Sequence, residues 1–226
     1  MKPMDRSSWL AERRTAVEAG YTVDGPTYDD GYDPRTPTHV GFVEALVERT
    51  PPGGWVLDAA CGTAPYAGIV LDAGRRYRGS DQSGGMLGRA RQKWPDQRFD
   101  RIGLQELAID GECHAAMCID AMEHVPPEEW PMVLANLYRA LLPAGSLYLT
   151  VEEIDRADVD DRNADARSDG LPVVEGEVIV RSTGGYHYYP ERERVERWLT
   201  DAGFAILDQA DEALDGYGYH HLLVGR

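Results

Sequence analysis

Apolar positions along the chain follow two periods. Over residues 38–49 they recur at helical spacing, with Val40, Val43, Leu46 and Val47 on one side, and Pro51-Pro52-Gly53-Gly54 ends the run. Beyond it, short apolar runs alternate with helical ones. WVLDA (55–59), RYRGSD (76–81), QRFDRI (97–102), HAAMCID (114–120) and SLYLTVEE (146–153) read as strands one to five, and 65–73, 84–93 and 127–142 as helices. In the last helix Val133, Leu134, Leu137 and Leu141 share a face, and Pro131 fits only the first turn. Such alternation predicts a parallel sheet with helices on both faces.

The flanks read differently. Residues 5–19 predict a helix, and YTVDGPTYDDGYDPRTP (21–37) a loop or lid. Residues 155–170 carry many acids and almost no large apolar residues, which predicts a surface excursion, partly helical or mobile. EVIVR (177–181) reads as a short strand. PERERVERWLTDAGF reads as a helix, with Pro190 at its first position and Gly203 closing it. AILDQA (205–210) and YHHLLVGR (219–226) predict a terminal hairpin, an antiparallel edge on the sheet.

Composition narrows the function classes. The chain has 226 residues, 42% of them hydrophobic, enough for a full core, and a net charge of −16. That charge argues against a nucleic-acid surface, which needs clustered cations, and against an anionic membrane surface. No apolar run approaches the roughly 20 residues of a membrane helix. MKPMDRSSWLAERR lacks the apolar stretch of a secretion signal. Cys61, Cys113 and Cys118 have neither zinc spacing nor an even count. They read as reduced thiols, so a cytoplasmic protein is expected. His220 and His221 are neighbours on a strand, so only one is expected to face inward, and no metal site is expected.

VLDAACGTAPYA (56–67) writes a strand, a small-residue loop and a helix start. In an open α/β sheet ligands sit at the carboxyl ends of the strands. A dinucleotide fingerprint would read G-x-G-x-x-G, but residues 60–65 read ACGTAP. Asp58 beside a pyrophosphate would cost on the order of 1 kcal/mol in repulsion. S-adenosylmethionine, with its sulfonium, ammonium and single carboxylate, suits that acid better. Asp81, ending strand two, can accept the two hydroxyls of a ribose in either ligand; it also fits as a helix N-cap ahead of SGGML.

DAACGTAPY, GSDQSGGMLGRA, DAMEHVPPEEW and LLPAGSLYLTVE occur in that order. With these motifs the chain resembles the class I S-adenosylmethionine-dependent methyltransferases, small-molecule branch, strongly over 38–153 and weakly over 186–226. The resemblance implies an α/β fold: a Rossmann-like doubly wound seven-stranded sheet, mostly parallel with an antiparallel C-terminal edge hairpin. It implies one domain over 1–226: an N-terminal helix and lid (1–37), a cofactor-binding core (38–153), an insertion or cap (154–189), and a C-terminal helix and hairpin (190–226). Asp58, Ala60, Gly62 and Ala64 then match the loop for the methionine end. Asp81, with Gln82 beside it, matches the ribose-binding acid, and Met86 a residue against the adenine. Leu104 and Gln105 fall at the adenine edge, where the family's frequent acid is missing. Asp120 lies near the sulfonium, and Tyr28 matches a lid tyrosine reaching the cofactor's carboxylate. The family often has Gly at 60 and 64; Ala64 is expected to put a methyl near the ligand.

Methyl transfer is a direct displacement, in which the protein aligns the acceptor, excludes water and supplies a base where one is needed. Glu152 ends strand five, and YHYYP (186–190) clusters aromatics around His187. His187, Glu152 and Tyr188 are the candidate catalytic residues. Glu123 and His124, just after strand four, read equally as site residues and as polar approach to a helix. The segment Tyr21–Tyr32 and the insertion are expected to cap the pocket. The expected partner is a small-molecule methyl acceptor, with no nucleic acid and no membrane; a homodimer is allowed. A catalytically silent S-adenosylmethionine binder and a nicotinamide-dependent oxidoreductase are the competing functions.

Overall fold

Val56, Leu57 and Ala59 are fully buried, which makes the WVLDA run a central strand. In the computed structural model, which describes residues 5–31, 33–180 and 185–226, the strands are β1 (Trp55–Ala59), β2 (Arg76–Asp81), β3 (Arg98–Arg101), β4 (Cys113–Cys118), β5 (Leu141–Glu153), β6 (Glu177–Val180), β7 (Gly185–Tyr188), β8 (Ala205–Ala213) and β9 (Gly218–Gly225). The helices are α1 (Arg6–Asp24), α2 (Pro37–Arg49), α3 (Ala67–Asp72), α4 (Gly84–Lys93), α5 (Trp130–Ala140), α6 (Arg156–Ser168) and α7 (Arg192–Asp201). Tyr32, the end of the expected cap segment, and Arg181, the end of an expected strand, lie outside the described residues.

Seven strands form one sheet in the order β3-β2-β1-β4-β5-β9-β8. β1 to β5 are parallel, and β9 runs antiparallel to both β5 and β8. β9 therefore lies inside the sheet and β8 forms the edge. The strand order reverses between β2-β1 and β4-β5, which opens a crevice at their carboxyl ends. Two apolar layers flank the sheet: Trp130, Leu134, Leu137 and Leu199 on one side, Leu46, Val47, Val70 and Tyr77 on the other. Among the described residues no helix is long and apolar enough to cross a membrane.

Most of the expected elements form, but several boundaries move. α1 runs on to Asp24, past the expected end at residue 19, because its last turn packs on the start of α4. A Cβ at Gly85 would lie 2.1 Å from the Thr22 carbonyl oxygen, so glycine allows this approach. Helix 127–142 shrinks to Trp130–Ala140, and Leu141 pairs instead with Cys113. Residues 155–170 contain the regular helix α6. Asp155 caps it by accepting from the Ala157 N–H, and Asn163 ties it to β6 by donating to the Val174 and Glu177 carbonyls. Pro190 precedes α7 rather than opening it, with Glu191 at the cap position. YHYYP contributes β7, which pairs with β6 as a second small sheet. His220 and His221 are both buried, one on each face, because β9 is an interior strand: His220 Nδ1 meets Asp211 at 2.8 Å and His221 Nδ1 meets the Tyr148 hydroxyl at 2.8 Å.

Candidate active site

The loop between β1 and α3 owes its shape to left-handed backbone at three positions. Ala60, Gly62 and Ala64 have φ of 61°, 52° and 58°. Only glycine adopts this region without strain, so each alanine stores about 1 kcal/mol. The Cys61 N–H donates to the Ser80 carbonyl, and the Gly62 N–H donates to Asp81 Oδ2 at 2.9 Å. Asp81 Oδ1 accepts the Ser83 N–H at 2.7 Å. Asp81 thus braces two loops, while Ser83 is the actual cap of α4, accepting from the Met86 N–H.

One cavity over the strand ends is lined by Tyr28, Asp58, Ala60, Gly62, Asp81, Gln82, Met86, Leu104, Gln105 and Asp120. These are ten of the eleven residues expected to hold a cofactor. Ala64 is the exception. Its methyl is fully buried among Cys61, Tyr66 and Val70, and its carbonyl accepts the Trp94 indole N–H. The expectation that it crowds the ligand is corrected: its side chain points into the core.

Asp58 is buried and accepts from the Tyr77 hydroxyl at 2.6 Å. Burial pushes its carboxyl up to about 7. Burial also raises Asp81, against the pull of its two N–H donors. Arg14 is the one Arg or Lys among the described lining residues, and Glu106 and Gln82 engage it. The cavity therefore offers carboxylates, amides and small apolar surfaces, and no cation free for a phosphate.

Asp120 holds φ +51°, with its N–H donating to Thr150 Oγ1 and its Oδ1 lying 3.4 Å from His39 Nε2. Beside it lie Tyr21 and His124, which sequence reasoning did not select. Tyr21 falls in a stretch whose composition is that of a loop, yet it sits on α1. The Tyr21 hydroxyl lies 3.0 Å from His124 Nε2, and both line the cavity. The visible signal was the EH pair directly after a strand end. Glu123 is buried beside them.

The three catalytic candidates separate. His187 stands next to His124, ring centroids 4.9 Å apart, and its Nδ1 lies 3.8 Å from Glu152 Oε2. Burial drives His187 down to about 3. Tyr188 follows His187 on β7 and so faces the other way. It is buried between Trp130 and Trp198, and its hydroxyl accepts from Arg194. Strand alternation turns Tyr188 away from His187 and out of the site. Among the described residues no group of three or more His, Cys, Asp or Glu is arranged to hold a metal ion.

The fold and site define a doubly wound α/β protein with a cavity at the switch point of its sheet. Residues 56–145 match a family model described as a methyltransferase domain. That stretch, less than half of the chain, is thus similar to a methyltransferase domain. A curated relative, the malonyl-(acyl-carrier protein) O-methyltransferase of Serratia marcescens, is 29% identical over 99 residues, 42% of this chain and 36% of the relative's length. The chain thus matches about a third of that protein.

Solved structures share the fold at low identity. Magnesium protoporphyrin IX methyltransferase from Synechocystis, with bound SAH, has a TM-score of 0.69 at 20% identity, covering 95% of this chain and 99% of that one. The 1,6-didemethyltoxoflavin-N1-methyltransferase of Burkholderia thailandensis has 0.72 at 15%, covering 99% and 91%. A structure described as a 4+2 cyclase has 0.67 at 16%, covering 93% and 94%, so the fold alone does not fix a reaction.

Proposed function

We propose that the protein transfers the methyl group of S-adenosylmethionine to a small-molecule acceptor by direct displacement. The observation that carries this reading is the single cavity joining Asp58, the left-handed loop 60–62, Asp81 and Met86. Asp58 has one hydrogen-bond partner among the described residues and faces the cavity, which suits the ammonium of the methionine end. The remaining lone pairs of Asp81 suit ribose hydroxyls, with Gln82 beside it. Met86, Leu104 and Gln105 wall the adenine, and Tyr28 covers the methionine end. The bound nucleoside supplies an activated methyl carbon. The chain's part is to hold the acceptor in line, near Asp120, and to keep water out beneath α1.

Proteins of like fold bear names with small-molecule substrates, a toxoflavin precursor and a magnesium porphyrin among them, which supports the same substrate class here. Within this proposal residues 1–37 form the lid, 38–153 the cofactor core and 154–189 the cap. Three buried free thiols support a cytoplasmic setting. The charge of −16 supports a protein without nucleic-acid or membrane partners. A homodimer would use the β8 edge, where Ile206 and Leu207 are exposed.

Calorimetric titration with S-adenosylmethionine, S-adenosylhomocysteine and NAD tests the reading. Binding of both sulfur nucleosides without NAD is expected; NAD binding alone would make the protein an oxidoreductase. Tight nucleoside binding with no methyl transfer to any acceptor pool would make it a silent binder.

A further inference from the structure

Two tyrosine–histidine pairs face each other beyond the carboxyl ends of β4 and β5. The Tyr21 hydroxyl lies 3.0 Å from His124 Nε2, and the Tyr189 hydroxyl 2.9 Å from His187 Nδ1. The two imidazoles meet edge to face at 4.9 Å and 71°. A carboxyl flanks each: Glu123 Oε1 is 3.5 Å from His124 Nε2, and Glu152 Oε2 is 3.8 Å from His187 Nδ1. The Tyr186 carbonyl, 3.1 Å from His124 Nδ1, fixes the tautomer: Nδ1 carries the hydrogen and Nε2 accepts from Tyr21. Glu123 is only 7% exposed, and its Oε2 finds no hydrogen-bond partner among the described residues. A buried carboxyl oxygen without a partner is costly, so it calls for a partner from outside the chain.

The charge around this cluster has one sign. Asp120, Glu123 and Glu152 act on one another. Arg162, which acts on His187 and Tyr189, is itself exposed on α6. Burial keeps His124 and His187 neutral, so neither offsets the acids.

We propose that this cluster is an acceptor subsite for a protonated amine, so that the reaction methylates nitrogen. The proposal rests on the methyl-transfer reading and adds the substrate class to it. An ammonium gives Glu123 Oε2 the partner it lacks and stabilises an ionised Glu123–Glu152 pair beside Asp120, whereas a carboxylate or phosphate acceptor would repel these acids. The chemistry balances. Binding of the ammonium displaces one proton from the Glu123–Glu152 pair to water, and the carboxylate so formed then takes one proton from the ammonium, which becomes a neutral amine. Its lone pair forms the N–CH3 bond while the S–CH3 bond breaks and that electron pair stays on sulfur. The positive charge moves from sulfonium to N-methylammonium, and the pair ends with the protons it began with. Burial and mutual charge raise both carboxyls, which lets the pair hold that proton near neutral pH.

The test uses the full chain saturated with S-adenosylhomocysteine, whose own binding is measured first; its failure to bind would sink the methyl-transfer reading instead. Matched probes on one skeleton are then titrated by ligand-observed NMR: phenethylamine, 2-phenylethanol and phenylacetate, and the corresponding indolylethyl set. The amines are expected to bind at least about tenfold tighter than the acids. Glu123→Gln and Glu152→Gln should each erase most of that preference while keeping S-adenosylhomocysteine affinity. Equal binding of acids and amines, binding of none of the three classes, or a preference untouched in both variants would overturn the proposal. Should one variant not fold, the other and the wild-type preference decide.

Discussion

The Tyr21 hydroxyl meets His124 Nε2 at 3.0 Å across 103 residues of sequence. It joins the last turn of α1 to the turn after β4, and so ties α1 to the wall of the cavity. Tyr21→Phe keeps the ring and removes the O–H, leaving a buried imidazole nitrogen without its donor. The expected loss is about 1–2 kcal/mol of stability. Acceptor KM should rise with S-adenosylhomocysteine affinity little changed, which steady-state kinetics and calorimetry on the same variant would show.

Asp81 accepts two backbone N–H groups, from Gly62 and Ser83. In Asp81→Asn one oxygen becomes an NH2 that faces an N–H donor. The β1–α3 loop and the start of α4 lose their common brace. Nucleoside affinity should fall at least about tenfold and stability by about 1–2 kcal/mol. Unchanged affinity would mean that the loop holds its shape without this carboxylate.

Gly25 and Gly85 bring the end of α1 against α4. A Cβ on Gly25 would lie 2.4 Å from the Gly85 carbonyl carbon, and one on Gly85 would lie 2.1 Å from the Thr22 carbonyl oxygen. Both obstacles are backbone, so neither can swing aside. Gly85→Ala should push α1 off α4: limited proteolysis within 6–31 should quicken, and nucleoside should dissociate faster.

Ala64 tests which residues of the loop face the ligand. Ala64→Gly relieves about 1 kcal/mol of left-handed strain but loses a buried methyl and loosens the unfolded chain. Its melting temperature should move little, and nucleoside affinity should stay within about twofold. Ala60 shares the backbone strain but lines the cavity, so Ala60→Val should weaken nucleoside binding.

Stability should fall as pH rises from 6.5 to 8. Asp58 stands at about 7, and Glu123 and Glu152 at about 8, raised first by burial. In this window the folded chain keeps protons that unfolded carboxyls, with values near 4, have released. Stability present at low pH is therefore lost as pH rises through the folded values. His124, His187 and His221 are lowered by burial and act in the opposite sense, but only below about 6.5, where the unfolded imidazoles charge. The expected loss is on the order of 4 kcal/mol for the ligand-free protein. Denaturant titrations at four pH values would measure it, and the Glu123→Gln, Glu152→Gln double variant should flatten the trend.

The sheet was legible because its strands are short apolar runs punctuated by Gly, Pro and Asp, and period and punctuation are local properties. For the same reason Asp58, Gly62 and Asp81 could be placed: each stands at a strand end or in the loop after one, and the fold puts those positions at one mouth. β7 was not legible, since two of its four residues are tyrosines that read equally as a loop wall, and its partner β6 lies across residues 181–184. That single missing strand decided Tyr188, whose direction follows from the alternation of Tyr186, His187 and Tyr188.

The sequence by itself determined the doubly wound core, the loop that starts at Asp58 and the order of the site-bearing segments, because hydrophobic period and turn residues act over a few neighbours. Only the tertiary structure decided that Ala64 faces the core, that Tyr21 belongs to a helix, and that Glu123, His124, Glu152 and His187 form one buried cluster. Those facts depend on contacts between segments far apart in the chain. The desolvation that makes Glu123 hold a proton and His187 shed one exists only once α1, the cap and the strand ends have closed around them.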